Sequence, residues 1–149
     1  MNLTTEFLTN VRRIGKLHER MLREICEEYG LSLTEATVVS FLHNNPGYDT
    51  AADIAELRML SKGNVSQAVE GLIRKALVRR RQDEADRRRI HLSLTEQARP
   101  VTGEMDRIWE QFSGEIFEGL SPAEREQFIS INRRMMENAR KAMARREWK

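Results

Sequence analysis

The chain has 149 residues, 32% of them charged, and a net charge of +2, which is enough for one domain with a buried core, or one domain plus helices for self-association. Its single cysteine excludes a framework of intramolecular disulfides; with no secretory signal and no apolar run long enough to cross a bilayer, it is expected in the cytoplasm. The small net charge hides a polarised distribution. Arg74 to Arg89 holds eight basic residues against three acidic ones, a local balance of +5 that leaves −3 for the rest. Such concentration suits a polyanionic partner and argues against a general membrane-surface binder.

From about Thr5 to Tyr29, the residues Phe7, Val11, Ile14, His18, Met21 and Ile25 recur at alternating steps of four and three. That heptad seam predicts a helix packed lengthwise against another, with Gly30 as its stop. A second helix is predicted over 33–44, capped by Thr34 and closed by Asn45-Pro46-Gly47. Residues near Tyr48 to Thr50 are read as a short third strand of a small sheet, and Thr50 as the cap of a helix from Ala51. Ile54, Ala55, Leu57 and Met59 give that helix its apolar face before Leu60-Ser61 breaks it.

Ser61 is then the N-cap of the helix over 61–75, because its hydroxyl can accept an unpaired first-turn amide proton. Val65, Ala68, Val69, Leu72 and Ile73 bury one face. The opposite face presents Lys62, Asn64, Ser66 and Gln67. Amides can read adenine edges bidentately and a lysine can reach guanine or phosphate, so this face suits a helix laid in the major groove of DNA. The runs 77–82 and 90–94 read as two strands, with Ile90, Leu92 and Leu94 facing the core and His91 and Ser93 facing outward. The loop 83–89 between them carries Arg87, Arg88 and Arg89, which can enter a minor groove. Asp86, two residues from Arg88, is positioned to hold that guanidinium through a bidentate pair.

Beyond this hairpin, Thr95 is a natural cap with Glu96 in the first turn, but Pro100 forces a kink or a late helix start near Arg99. Met105, Ile108, Trp109, Phe112, Ile116 and Phe117 define that helix. Ser121-Pro122-Ala123-Glu124 opens another, continued by Phe128, Ile131, Met135, Ala139 and Ala142. The predicted class is mainly α with a small β-wing, a winged helix-turn-helix flanked by long terminal helices. The expected organisation is an N-terminal dimerisation helix over 1–30, a DNA-binding domain over 31–97 and C-terminal dimerisation helices over 98–149.

Ser61 through Val78, the Asp-x-Arg wing tip at Asp86 and Arg88, and Leu94-Thr95 together resemble the winged helix-turn-helix of the MarR family, with flanking helices and length in agreement. The resemblance implies a homodimeric transcriptional regulator, usually a repressor, that binds a palindromic operator in double-stranded DNA and is released by a small ligand or by cysteine oxidation. It carries the groove-reading role onto Lys62, Asn64, Ser66 and Gln67, the minor-groove role onto Arg88, and its support onto Asp86. Ser61, Arg74, Arg81, Arg87 and Arg89 complete the expected DNA-binding set. Gly63 and Glu84 depart from the family's frequent small polar residue and proline.

An effector pocket between the dimer helices and the reading head would draw on His18, Met21, Leu22, Phe41, Trp109 and Phe112; the plain alternative is that several are core. Cys26 lies late in the first helix among Glu24, Glu27 and Glu28, which raise a thiol's pKa and disfavour a redox role. His18, His43, His91 and Cys26 fall in separate elements without metal-ligand spacing, and no catalytic motif is present. No enzyme activity, metal or cofactor is therefore expected. The competing reading is a winged-helix adaptor that binds protein, since the fold does not fix the function.

Overall fold

The computed structural model describes residues 1–147; Trp148 and Lys149, the end of the expected 98–149 segment, lie outside the described residues. Helix α1 (Leu3–Tyr29) starts where Asn2 Oδ1 accepts the Thr5 N–H at 3.0 Å and stops at Gly30, whose φ of 65° is left-handed. Glycine takes that conformation without a Cβ penalty, and its amide closes the helix onto the Cys26 carbonyl.

Helix α2 (Leu33–Asn44) is capped by Ser32 and not by Thr34. The Ser32 hydroxyl accepts the Glu35 N–H at 3.1 Å while Glu35 Oε1 accepts the Ser32 N–H at 2.8 Å, a reciprocal box that satisfies two otherwise orphaned donors. Thr50 and Asp53 form the same box at the start of α3 (Ala51–Leu57). This helix is shorter than its apolar pattern suggests: Leu57 and Met59 are exposed, and Met59 has a left-handed φ of 53°. Only Ile54 and Ala55 are buried from α3.

Helix α4 (Lys62–Arg74) packs on α2, α3 and strand β1 (Val78–Gln82). Strand β2 (Ile90–Leu94) pairs antiparallel with β1, Val78 opposite Leu94 and Gln82 opposite Ile90. The sheet has two strands. The segment expected as a third contributes one backbone bond, from the Leu92 N–H to the Asp49 carbonyl at 2.8 Å, and does not continue as a ladder. On β2 the expected alternation is softened: Leu92 is buried, Ile90 is exposed near the wing tip, and His91 is half-buried on the face expected to be open.

A 3-10 turn over Glu96–Ala98 precedes α5 (Arg99–Ile116), the late start that Pro100 demands. Thr95 does not cap it. Its hydroxyl donates instead to the Ala76 carbonyl at 2.6 Å. Ile25, Val38, Val39, Ile54, Val65, Leu72, Leu92, Val101, Met105 and Ile108 belong to one core, so the reading block and parts of its flanking helices share it. Core residues of this size each remove about 1.5–3 kcal/mol of apolar exposure from water, which is why α3 and β1, too short to stand alone, persist.

The chain divides into two compact units, Met1–Phe112 and the residues from Ser113 on. In the second, α6 (Pro122–Ala144) begins at the Ser121 cap with proline first and Glu124 closing the box. Phe117 meets Phe128 edge-on at 5.4 Å and carries the Arg125 guanidinium 5.1 Å above its ring. No residue of α6 is buried.

Candidate nucleic-acid interface

The Ser61 hydroxyl accepts the Asn64 N–H at 3.1 Å, which starts α4 and fixes its rotation. Val65, Ala68, Val69 and Leu72 go into the core, so the 3.6-residue period turns Lys62, Asn64, Ser66 and Gln67 to the surface. Their side chains form no hydrogen bond within the described chain. Asn64, Gln67 and Arg74 share a cleft of about 400 Å³ with Ser32, Thr34 and Glu35 at the start of α2.

Beneath this cleft lies a contact that pattern reading missed. Glu35, the one buried charged residue among those described, accepts from Lys75 Nζ at 2.7 Å, and Lys75 also donates to the Gly30 carbonyl at 2.8 Å. Burial pushes the Glu35 carboxyl up, but the bonds from Lys75 and the Ser32 amide outweigh it and hold it below its ordinary range. Gly71 leaves room for the Glu35 carboxylate, since a β-carbon there would overlap Oε2. The legible signal was the run Ser32-Leu33-Thr34-Glu35, a capping box that places a glutamate at the mouth of the helix pair.

The wing is tied down by side chains. Arg80 bonds Glu70 of α4 at 2.7 Å, so this arginine serves the wing's attachment. Gln82 Nε2 donates to the Arg87 carbonyl at 2.9 Å, and the Asp83 N–H donates to the Arg89 carbonyl at 2.9 Å. Asp83 Oδ2 accepts the amides of Ala85 at 3.0 Å and Asp86 at 2.8 Å. Arg81, Arg87, Arg88 and Arg89 are exposed.

Asp86 supports Arg88 by a different route from the expected bidentate pair. Its Oδ1 accepts the Arg88 backbone N–H at 3.0 Å, while the guanidinium stays 3.7 Å away through Nε and the arginine side chain is 96% exposed. A short aspartate side chain reaches its own loop's amides more readily than a long, solvated arginine head, as in an Asx-turn. Asp86 thus shapes the loop that carries Arg88.

His91 is the functional candidate that alternation concealed. Nδ1 lies 2.8 Å from Asp49 Oδ1, before α3, and Nε2 lies 2.7 Å from Asp83 Oδ1, at the base of the wing. The bond to Asp83, then that to Asp49, raises the His91 pKa above its ordinary value. The His91 bond, together with the two backbone amides, lowers the Asp83 carboxyl to about 2.

Among the expected pocket residues, Leu22, Phe41 and Phe112 are buried and Met21 packs against the core. His18 meets the Phe112 ring edge-on at 5.2 Å, Trp109 lies tilted 5.6 Å from Phe112, and Trp109 is exposed. Burial, then the Arg58 charge, lowers the His18 pKa. The Cys26 thiol is raised chiefly by burial, with Glu35 and Glu27 adding to it, and its S–H donates to the Ser32 carbonyl at 3.6 Å. No group of three or more His, Cys, Asp or Glu among the described residues could hold a metal ion. No described helix is long and apolar enough to cross a membrane.

A capped helix with a polar outer face, packed on two helices and followed by a pinned, arginine-tipped hairpin, defines a winged helix-turn-helix. Residues 29–89, the segment from the end of α1 through the wing, match the MarR family. It is 28% identical over 131 residues to the HTH-type transcriptional regulator YkoM of Bacillus subtilis (strain 168), covering 88% of this chain and 82% of that one. A MarR transcriptional regulator from Methanosarcina mazei Go1 shares the fold at a TM-score of 0.75 and 21% identity, over 92% of this chain and 99% of the other. BpsR of Bordetella bronchiseptica, whose DNA binding is regulated by 6-hydroxynicotinic acid, matches at a TM-score of 0.66 and 25% identity, over 88% and 98% of the two chains.

Proposed function

We propose that this protein is a ligand-responsive repressor that binds a palindromic operator as a homodimer, with residues 61–75 in the major groove and the wing 83–89 in the minor groove. The observation that carries the reading is the outer face of α4: Lys62, Asn64, Ser66 and Gln67 are exposed, and their side chains form no hydrogen bond among the described residues. Hydrogen-bonding side chains left free on a helix whose other face is core have base edges and phosphates as their natural partners. Arg81, Arg87, Arg88 and Arg89 add the positive charge of the wing, and Arg74 and Ser61 flank the reading helix.

The homodimer is supported by unpartnered apolar surface. Phe7, Leu8 and Val11 of α1 are exposed, as are Ile129, Ile131 and Met135 of α6. Apolar residues at helical spacing left exposed among the described residues call for a second copy, and a two-fold pair presents two reading heads to a palindrome. Regulation by a small molecule rests on the likeness to BpsR, and the aromatic cluster of His18, Trp109 and Phe112 is the place assigned to it. The protein acts in the cytoplasm and performs no reaction.

Selection from a random-sequence duplex library with the full-length protein at near-physiological salt, followed by footprinting of the enriched duplexes, tests this reading. Enrichment of one palindrome with half-sites a helical turn apart is the expected result. Binding without sequence preference that disappears as salt rises would leave only counterion release at phosphates.

A further inference from the structure

We propose that His91 is a positioning residue for the wing-tip arginines, clamping the wing to the loop before α3 as an imidazolium held between two carboxylates. Both contacts are short, 2.8 Å from Nδ1 to Asp49 and 2.7 Å from Nε2 to Asp83. An ionised carboxylate only accepts, and a neutral imidazole has a single N–H. With the proton lost, one ring nitrogen would turn a lone pair onto a carboxylate oxygen. The charged ring donates to both.

From that ring a continuous series of bonds reaches the wing tip. Asp49 holds His91, and His91 holds Asp83 Oδ1. Asp83 Oδ2 then holds the amides of Ala85 and Asp86, and Asp86 Oδ1 holds the amide of Arg88. The clamp therefore fixes the loop presenting Arg87, Arg88 and Arg89 relative to the reading block. The groups acting on His91 are Asp83 from the wing, Asp49 from the loop before α3 and Arg81 from β1, its partner in the strand register; the two acids favour its charge and Arg81 opposes it. The geometry accounts for the direction of the histidine's shift: it titrates above its ordinary 6.5.

The inference rests on the wing-to-DNA reading above and adds a regulatory sign to it. Since the folded His91 pKa lies above the unfolded one, the clamp is complete below the ordinary histidine value and is lost as pH rises through the raised value. DNA phosphate near the wing favours the same protonated form, so binding takes up protons, and one histidine limits the dependence to about tenfold per pH unit per wing. The total loss is bounded by what the wing arginines contribute.

The test measures affinity between pH 6 and pH 9 for the duplex most enriched from a random-sequence library, using full-length wild-type protein, His91→Gln and Arg88→Ala. The wild type is expected to lose on the order of tenfold in affinity across this range, comparable with a single base- or wing-contacting arginine. His91→Gln, unable to carry charge, should be flat and close to the wild type's value at high pH; Arg88→Ala should be weak at low pH with a shallower slope. A flat wild-type profile, or a slope that survives in His91→Gln, overturns the clamp. Arg88→Ala binding as tightly as wild type overturns the wing reading itself, and the clamp's role with it. Nitrogen NMR of the His91 ring in the free wild-type protein is independent of DNA and of any variant's folding: protonation of both nitrogens above 6.5 supports the clamp, and titration at or below that value overturns it.

Discussion

Gly71 of α4 lies against the carboxylate of Glu35 so closely that a β-carbon would overlap Oε2, and Glu35 cannot easily withdraw because its other oxygen is held by Lys75 at 2.7 Å and by the Ser32 amide at 2.8 Å. The hydrogen at Gly71 is therefore a packing requirement in the middle of a helix where alanine would ordinarily be preferred. Gly63, in the first turn of the same helix, has open space around its missing β-carbon.

Gly71→Ala is expected to destabilise the fold by about 1–3 kcal/mol, the usual cost of overpacking, against an opposing helix-propensity gain of up to about 1 kcal/mol. Gly63→Ala keeps only the gain and should be neutral or slightly stabilising. Urea denaturation of both variants decides this, and combining Gly71→Ala with Glu35→Ala should cost less than the two changes separately, because Glu35→Ala removes the carboxylate that the new β-carbon would overlap. Strict additivity would show that Gly71 and Glu35 do not interact.

Arg88→Ala should weaken binding to a selected duplex by about 1–3 kcal/mol while leaving thermal stability unchanged, since the side chain is 96% exposed. Asp86→Ala should cost less, through the loop amide it no longer accepts. Fluorescence anisotropy at fixed salt measures both, and tighter binding by Asp86→Ala would mean that its charge chiefly repels phosphate.

Gln67 is exposed beside the cleft it shares with Asn64 and Arg74. Gln67→Ala is expected to relax base preference at one position of each half-site, by roughly 1–3 kcal/mol of discrimination, with little change on random duplex. Affinities across a panel of single-base operator variants provide the comparison. Uniform weakening over the panel would place Gln67 on the backbone.

Ile131 and Met135 lie four residues apart on α6 and are both exposed in the single chain. Converting either to glutamate should disrupt self-association, because an unpaired carboxylate cannot be buried across an apolar seam without a partner. Sedimentation at micromolar concentration is expected to show wild-type dimers and a shift toward monomers in the variants. Dimers of undiminished stability would remove this face of α6 from the interface.

Acid should loosen the protein in a predictable order. Glu35 and Asp83 both have depressed pKa values, so their contributions are present above the ordinary carboxylate values of 4.5 and 3.8 and are lost as pH falls below them, for Asp83 toward about 2. Near-ultraviolet circular dichroism from pH 6 to pH 2 should show tertiary signal lost with these titrations. In Asp83→Asn the part of the loss below pH 3.8 should be smaller.

Most of the element order was legible in the chain itself. Ser61, Thr50 and Ser121-Pro122-Ala123-Glu124 announce helix starts because a cap is a bond between residues three apart. Pro100 delays α5 for an equally local reason. Local rules failed where distant partners competed: Thr95 gives its hydroxyl to Ala76 across the sheet, and Met59 turns left-handed to bring α4 back onto α2. Of the candidate site, the free face of α4 could be read from periodicity, since core residues on one side leave the other exposed.

The sequence by itself determined the helices, the wing and the concentration of arginine, all of which follow from interactions spanning a few residues. Only the tertiary structure decided what locks the wing and the reading helix in place. Lys75 meets Glu35 across 40 positions, and His91 meets Asp49 across 42. Nothing in the pattern of a single strand or helix tells a histidine that it will stand between two carboxylates, because that environment exists only once distant segments share a core and exclude water around the charges they bring together.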